Sequence, residues 1–175
     1  MPSFAQPARS AALLILVVAA ATIGGALVFE HGFGYLPCKL CLQQRLPYYA
    51  ALPIALATVA APGRGPWLRL GLAVLGLLFL ISAGLGIYHS GVEWGLWLGP
   101  SDCGGGGGAG AGNVADLMKS LNNIHVVSCT EAAWRFLGLS LAGYNALISL
   151  ALAGVAAWGF WAGYRQPVRD KRDFD

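Results

Sequence analysis

The sequence is poor in charged residues, and this shortage limits what the protein can be. Only 11% of its 175 residues are Asp, Glu, Lys or Arg, whereas 57% are hydrophobic. A soluble domain of this length usually carries about 25% charged residues, so an ordinary soluble fold is excluded. The net charge is only +3, and no basic patch with interleaved aromatic residues is present, which argues against a nucleic-acid partner. Lipid is therefore the expected solvent for most of the surface.

Long hydrophobic runs take the place of the missing charge. Four apolar stretches cover about residues 11–29, 46–61, 70–88 and 136–164. A helix needs about 20 apolar residues to cross the hydrocarbon core, and the first, third and fourth stretches reach or nearly reach that length. The second is interrupted by Pro47, which suits a first helical turn, and by Pro53, which predicts a kink. We predict one all-α membrane domain over residues 1–175, a bundle of four transmembrane helices.

The first apolar run shares one feature with a cleaved signal peptide, because Arg9 precedes it. The run is longer than a usual signal core, and no clear small-x-small cleavage site lies near its end, which favours a retained helix. Cleavage would leave the orientation of the later loops unchanged.

Basic residues are divided unequally between the two sides of the predicted helices. Seven lie on one side: Arg9, Arg64, Arg69, Arg165, Arg169, Lys171 and Arg172. Four lie on the other: Lys39, Arg45, Lys119 and Arg135. Because cytoplasmic loops carry the excess of Lys and Arg, both termini are expected in the cytoplasm. The loops at about 30–45 and 89–135 of this multi-pass protein then face outward, which in a bacterial-type inner (cytoplasmic) membrane is the oxidising periplasm.

The second periplasmic loop combines a tether with a helical pattern. Its glycine tract, Gly104 to Gly112, predicts a flexible tether. Behind Asn113, a suitable N-cap, five apolar residues recur with helical spacing. They are Val114, Leu117, Met118, Leu121 and Ile124. We favour a short amphipathic helix on the membrane surface over a helix packed against the other periplasmic segments.

All four cysteines, Cys38, Cys41, Cys103 and Cys129, lie in the two periplasmic loops, where disulfides can form. Zinc binding is disfavoured, because the last two are 26 positions apart and complete no compact metal site. Purely structural disulfides are the simpler alternative. A Cys103–Cys129 bridge would close a long loop and so reduce the freedom of the unfolded chain. A Cys38–Cys41 bridge, however, closes a loop too short to stabilise much, and its two-residue spacing is that of exchange-active dithiols.

The first cysteine pair lies directly before the second predicted helix. Cys41 is expected near the helix N-terminus, where the dipole and free N–H groups stabilise a thiolate. Arg45 follows one turn later and adds a fixed positive charge. Because the thiolate is the form that attacks a disulfide, this arrangement predicts thiol–disulfide exchange. A second pair on a flexible tether can reach a soluble partner and then return to the first pair.

Several motifs surround the cysteines. They are Phe29-Glu30-His31, Cys38-x-x-Cys41-x-x-Gln44-Arg45, Tyr88-His89, Gly99-Pro100-x-x-Cys103 and Cys129-x-x-x-x-Trp134-x-Phe136-Leu137-Gly138-Leu139. With the four predicted helices, they make nearly the whole chain resemble the disulfide bond formation protein B family (DsbB), the quinone-linked membrane oxidoreductases of bacteria. The glycine tract is unusual for the family, and Gln44 stands where some members have Glu. The neutral Gln44 is expected to leave the charge of Arg45 less compensated.

The resemblance implies a fold and an electron path. The fold is a four-helix membrane bundle with a short surface helix in the second periplasmic loop. The Cys103–Cys129 disulfide would oxidise a periplasmic thioredoxin-fold oxidase (DsbA-like), with Cys103 forming the mixed disulfide. Electrons would pass to Cys38–Cys41 and then from Cys41 to a bound quinone, ubiquinone or menaquinone. Arg45 would polarise the quinone and stabilise its developing negative charge.

His89 and His31 are further candidates for the quinone pocket, and no metal is implied. Membrane lipid and the quinone pool are the other expected partners of a monomer. An enzyme like vitamin K epoxide reductase is a rival, but its C-x-x-C motif lies late in the chain, whereas here the motif follows the first span. A non-enzymatic four-span scaffold with structural disulfides is the rival from another class. It predicts that Cys41 and Arg45 are dispensable for redox activity.

Overall fold

The computed structural model of the chain describes residues 7–61, 66–100, 125–126, 129–132 and 134–164. Within these residues, four long helices make up most of the structure. They are α1 (Pro7–Leu27), α2 (Lys39–Ala60), α3 (Pro66–Glu93) and α4 (Leu141–Tyr164). A π-helical turn, Val28–Gly32, continues α1. The prediction of a mostly helical protein is confirmed.

Three helical segments of the described chain are long and apolar enough to cross a membrane. They are Pro7–Gly32, Pro66–Glu93 and Leu141–Gly163. Large apolar side chains cover their outer faces; Leu77 is 60% exposed and Trp161 is 62% exposed. Such a surface suits lipid and would be unfavourable in water. The 22-residue α2 is less apolar, with Gln44 and Arg45 in its first turns, so its membrane crossing remains a prediction.

The helices pack around a core of small and aliphatic side chains. Tyr48 of α2 meets Phe79 of α3 edge-on, with ring centroids 5.3 Å apart. α3 and α4 come close at Gly86, where an added Cβ would lie 2.9 Å from the backbone nitrogen of Ala146. Close packing of this kind drives helix association in lipid, where hydrophobic burial does not.

Helix α2 begins at Lys39, well before the apolar run that predicted it. Cys38 caps the helix, because its Sγ accepts a hydrogen bond from the Cys41 N–H at 3.2 Å. Capping satisfies one of the N–H groups that every helix start leaves free. Pro47 therefore lies inside the helix together with Pro53, and its predicted place in the first turn is wrong.

A short parallel sheet joins the two predicted periplasmic loops. Strand β1 (Tyr35–Leu36) pairs with β2 (His125–Val126), in a register that places Tyr35 opposite His125. The backbone just before Cys38 is thereby tied to the part of the second loop that precedes Cys129. The glycine tract and the predicted surface helix at residues 113–124 lie outside the described residues.

The last helix is preceded by a hairpin. Strands β3 (Arg135–Phe136) and β4 (Leu139–Ser140) pair antiparallel around a turn at Leu137 and Gly138. Both turn residues have positive φ, 50° and 82°, a conformation that a right-handed helix cannot contain. For this reason α4 begins at Leu141, and the predicted start of the span at residue 136 is wrong.

The chain folds back over the end of α3 just beyond Glu93. Trp97 donates from Nε1 to the Tyr88 carbonyl at 2.8 Å, and the two rings stack with centroids 6.1 Å apart. The indole covers Gly91, where an added Cβ would lie 2.0 Å from the Trp97 ring. Only glycine leaves room for this contact, which fixes the helix turn that carries His89 and Glu93.

Replacing Gly91 by alanine is expected to displace Trp97, because the added Cβ would lie 2.0 Å from the indole, and the displacement breaks the hydrogen bond to Tyr88 and the ring stacking. Overpacking of this kind costs about 1–3 kcal/mol and should lower the thermal-unfolding midpoint in detergent. Gly84→Ala is the matched control, because an added Cβ there has nothing within 4 Å. It should be neutral or stabilising, since alanine is the better helix former. Equal unfolding midpoints for the two variants would show that the contact of Trp97 with Gly91 does not stabilise the fold.

Candidate redox site

Cys38 and Cys41 form a dithiol at the start of α2. Both are free cysteines, and their Sγ atoms lie within hydrogen-bond distance, 2.7 Å apart. Cys38 is buried, whereas Cys41 lines a cavity in the bundle. One turn of helix therefore gives the two sulfur atoms different surroundings.

Hydrogen-bond donors converge on the Cys38 sulfur. They are the Cys41 thiol, the Cys41 N–H and His89 Nε2, which lies 3.8 Å away. These contacts, the Cys41 thiol foremost, lower the pKa of Cys38 from its usual 9.0 to about 5, against the opposing effect of burial. The sequence predicts a thiolate on Cys41, favoured by the helix start. The structure directs that effect to Cys38, because Cys38 is the residue at the N-cap.

The second cysteine pair reaches the same place. Cys129 is fully buried and disulfide-bonded, while Cys103 lies outside the described residues. The Cys38 and Cys129 sulfur atoms and a ring nitrogen of His89 all lie within 4.8 Å of one another. Cys38 and Cys129 also share one small apolar cluster. One cysteine from each predicted pair is thus in position for exchange.

A chain of amide hydrogen bonds holds His89 in one tautomer. Asn145 of α4 donates from Nδ2 to Gln44 Oε1 at 2.7 Å. Gln44 therefore presents its Nε2 donor to His89 Nδ1, also at 2.7 Å. Since Nδ1 accepts, the proton of the neutral ring is on Nε2, the nitrogen that faces Cys38. His89 is fixed as a hydrogen-bond donor to the Cys38 sulfur.

The cluster of Cys38, His89 and Cys129 has the ligand types of a metal site, but its chemistry does not fit one. Soft metals bind thiolates, and the Cys129 sulfur is engaged in a disulfide. A metal-bound histidine donates from its other ring nitrogen, whereas His89 Nδ1 accepts from Gln44. The contact is better explained as the meeting point of two redox pairs.

Arg45 is paired with a carboxylate from another element. Its guanidinium forms an ion pair with Glu30 of the π-helical turn, and the side chains are 13% and 23% exposed. The expectation that Gln44 leaves this charge less compensated is wrong. Glu30 supplies the compensating charge, and Gln44 is bonded to His89 instead.

A cavity of about 300 Å³ lies among the four helices at the cysteine end of the bundle. Small and apolar residues of α1 and α4 form its walls, Ile23 and Ile148 among them. Cys41, Arg45 and His89 contribute polar groups to the same cavity. Apolar walls with a few convergent polar groups are the usual form of a small-molecule site. Three of the four predicted cofactor ligands therefore meet here.

His31, the fourth predicted cofactor ligand, is placed elsewhere. Its side chain is exposed, and its Nδ1 lies 3.2 Å from the Leu27 carbonyl, which accepts the hydrogen bond. Its neighbour Glu30 lines the cavity and His31 does not, because successive residues of the π-helical turn point to different sides. The structure gives His31 no contact with the site.

Sequence reasoning did not assign Glu93 and Asn145 to the site. Glu93 also lines the cavity, and its Oε1 lies 3.8 Å from His89 Nε2. The four-residue spacing from His89 places both side chains on one helix face and is a usable signal. Asn145 is a side-chain amide in the largely apolar helix α4, and polar side chains in apolar membrane helices commonly mark functional positions.

Comparison with known proteins identifies the family of the chain. The family model of the disulfide bond formation protein DsbB matches residues 8–159. A disulfide bond formation protein B of Aromatoleum aromaticum is 32% identical over 173 residues, 90% of this chain and 94% of that protein. The protein of that name from Methylococcus capsulatus is 31% identical over 164 residues, covering 90% and 97%. The one from Marinobacter nauticus is 30% identical over 141 residues, covering 77% and 80%.

No solved structure matches the chain. The family match spans most of the sequence, includes both described cysteine segments, and agrees with the apolar helices and the buried dithiol. The chain belongs to the DsbB family, and it is a membrane oxidoreductase of disulfide bond formation.

Proposed function

We propose that this protein reoxidises a periplasmic thioredoxin-fold dithiol oxidase of the DsbA type and passes the electrons through its two cysteine pairs to a membrane quinone. One observation carries the proposal. The Cys38 sulfur lies within 4.8 Å of the Cys129 sulfur on one side and within 2.7 Å of Cys41 on the other, and Cys41 lines the cavity. The sulfur atoms form a continuous path from the second loop to the cavity.

The first steps are two thiol–disulfide exchanges. A partner dithiol attacks Cys103 of the Cys103–Cys129 disulfide, forms a mixed disulfide with it, and releases Cys129 as a thiolate. Cys129 then attacks Cys38 in the oxidised Cys38–Cys41 pair. The Cys38–Cys129 bond forms as the Cys38–Cys41 bond breaks, and the electron pair passes to Cys41 as a thiolate. The second thiol of the partner then attacks the mixed disulfide, which releases the oxidised partner and a Cys103 thiolate. Cys103 attacks Cys129 in the Cys38–Cys129 bond, which restores the Cys103–Cys129 disulfide and leaves Cys38 as a thiolate. Electrons thereby reach the cavity wall without leaving sulfur.

The acceptor needs a higher potential than the partner. A DsbA-type oxidase has a potential of about −120 mV, which is too high for most protein disulfides to reoxidise its dithiol. A quinone would supply the oxidising capacity, accepting two electrons and two protons. The cavity fits such a molecule, because it combines apolar walls with the cation of Arg45 beside Cys41. Arg45 would bind a ring oxygen and favour negative charge there, while His89 would hold the Cys38 sulfur.

The proposed location is the bacterial inner membrane with both termini in the cytoplasm and the cysteines in the periplasm. The excess of basic residues on the terminal side supports this orientation. A scaffold with structural disulfides is not favoured. A buried dithiol in contact with a second, disulfide-bonded cysteine serves no bracing purpose, whereas it suits exchange.

The test uses the full-length protein in detergent, a reduced DsbA-type substrate and a water-soluble quinone. We expect repeated turnover, followed as loss of quinone absorbance, and its abolition in Cys129→Ser, which breaks the sulfur path. Leu98→Ala, a 93% exposed position, is the control for the effect of mutation and purification. Oxidation of the substrate without quinone loss would exclude quinone as the acceptor. Disulfides that stay inert to the substrate would favour the scaffold.

A further inference from the structure

Glu93 is a buried carboxyl group to which the electron path assigns no role. Its side chain is only 5% exposed, and Oε2 is fully buried without a hydrogen-bond partner among the described residues. Oε1 lies 3.8 Å from His89 Nε2. An unsatisfied carboxylate oxygen is costly to bury, and uptake of a proton removes much of that cost. Glu93 is therefore placed to take up a proton at the cavity wall.

The hydrogen bonds of His89 leave no ring nitrogen free to accept the proton that Cys38 gives up. Its Nδ1 already accepts the Gln44 Nε2–H, and Gln44 cannot reverse because its Oε1 accepts from Asn145. A second ring proton would place two N–H donors against each other. His89 Nε2–H faces Cys38 and Glu93, each at 3.8 Å, and stabilises negative charge on either.

We propose that Glu93 holds the second proton of the reduced dithiol, so that the reduced site contains a Cys38 thiolate, a Cys41 thiol and a Glu93 carboxylic acid. Glu93 does not contact Cys38 directly but acts on it through His89, whose Nε2 lies 3.8 Å from both groups. It is therefore a positioning residue. Cys41 and Glu93 line the cavity, and Cys38 does not. Both protons are thus held at the wall of the cavity. Their transfer to a quinone bound there rests on the proposed function.

The electrons and protons balance. Two electrons break the Cys38–Cys41 bond, one proton forms the S–H bond of Cys41, and a second forms the O–H bond of Glu93. Cys38 keeps the negative charge that its three donors stabilise. On reoxidation the S–S bond forms again, the electron pair leaves through the Cys41 sulfur, and the protons of Cys41 and Glu93 are released into the cavity. This is the number of electrons and protons that reduction of a quinone to a quinol consumes.

Other titratable or charged groups near Glu93 bear on any pH dependence. On the described elements packed around it, they are Cys38 and Cys41, Arg45 and Tyr48 of α2, Glu30 of the π-helical turn, Tyr35 of β1, His89 of α3 and Tyr144 of α4. Glu30 is occupied by Arg45. Cys129 does not titrate while it is disulfide-bonded. Among the carboxyl groups of the cavity, Glu93 is the one with an oxygen that no described group satisfies.

The test counts protons in the quinone-free, full-length protein. The protein is equilibrated with thiol redox buffers over a range of pH, and reduction of the Cys38–Cys41 pair is read by alkylation and peptide mass spectrometry. Wild type should take up two protons with two electrons at neutral pH. The isosteric Glu93→Gln should take up one, which halves the pH slope of the reduction potential. Infrared difference spectra should show the C=O band of a carboxylic acid on reduction of wild type and not of Glu93→Gln.

Glu30→Gln is the matched control, since it neutralises the other carboxylate of the cavity and should retain both the two-proton slope and the carboxylic-acid band. Equal slopes in wild type and Glu93→Gln, or a one-proton slope in wild type, would overturn the proposal. Because no quinone is present, these results are independent of whether quinone is the acceptor. Failure here leaves the proposed function standing, and failure of the turnover assay leaves the proton count intact.

Discussion

Replacing Cys41 by serine is expected to convert the site into a cross-linked form with a Cys38–Cys129 disulfide. Cys38 then lacks its resolving partner, while His89 and the N–H of residue 41 still stabilise its thiolate. The Cys38 sulfur lies within 4.8 Å of a sulfur that is already in a disulfide, so attack requires little movement. Quinone reduction should fall to background, because no thiol faces the cavity. Peptide mapping under non-reducing conditions measures the cross-link.

Cys38→Ser is the matched variant. It should lose turnover equally but form no cross-link, because the remaining Cys41 lines the cavity, whereas Cys38 is the cysteine whose sulfur lies within 4.8 Å of Cys129. The two variants thus lose the same activity but differ in whether a disulfide to Cys129 forms, which distinguishes the roles of Cys38 and Cys41. A Cys41–Cys129 disulfide in Cys38→Ser, at the yield seen for Cys38–Cys129 in Cys41→Ser, would show that the two sulfur atoms do not have separate surroundings.

The local sequence was sufficient to predict the helices and the dithiol, because both depend on residues that are neighbours in the chain. Apolar runs predicted the helices, since lipid requires about 20 apolar residues in succession. The C-x-x-C spacing and the following helix predicted a dithiol at a helix start. The start of α2 was predicted about two turns too late, because the polar residues between Cys41 and Leu46 lie outside the apolar run. The hairpin before α4 was missed because Leu137 adopts positive φ, which leucine rarely does.

The contacts that define the site could not be read from the sequence, because they join distant parts of the chain. The Arg45–Glu30 pair spans 15 residues, the Gln44–His89 bond 45 and the Asn145–Gln44 bond 101. Each depends on how one helix is rotated and translated against another. Close contacts such as Gly86 against Ala146 determine that geometry, and no local pattern encodes it. The same packing brings Cys38 to Cys129 and leaves His31 outside.

Replacing Arg45 by alanine is expected to weaken both quinone binding and stability. A hydrogen bond from a charged donor contributes about 1.5–3 kcal/mol, so its loss should raise the KM for quinone roughly 10–100-fold. The same change leaves the Glu30 carboxylate without its partner. Removing one member of a buried pair costs about 3–5 kcal/mol. A smaller loss is expected here, because Glu30 remains 23% exposed and water screens its charge.

A double-mutant cycle with Glu30→Gln separates the two effects. Glu30→Gln alone keeps the guanidinium and frees it from its counter-ion, so the KM for quinone should be unchanged or lower. The double variant removes both charges and should recover most of the thermal stability, because neither charge is left buried and unpaired. Its KM should stay as high as that of Arg45→Ala, because no cation remains at the cavity wall. Recovery of KM together with stability would mean that Arg45 acts only through the fold, and its assigned part in quinone binding would then fail.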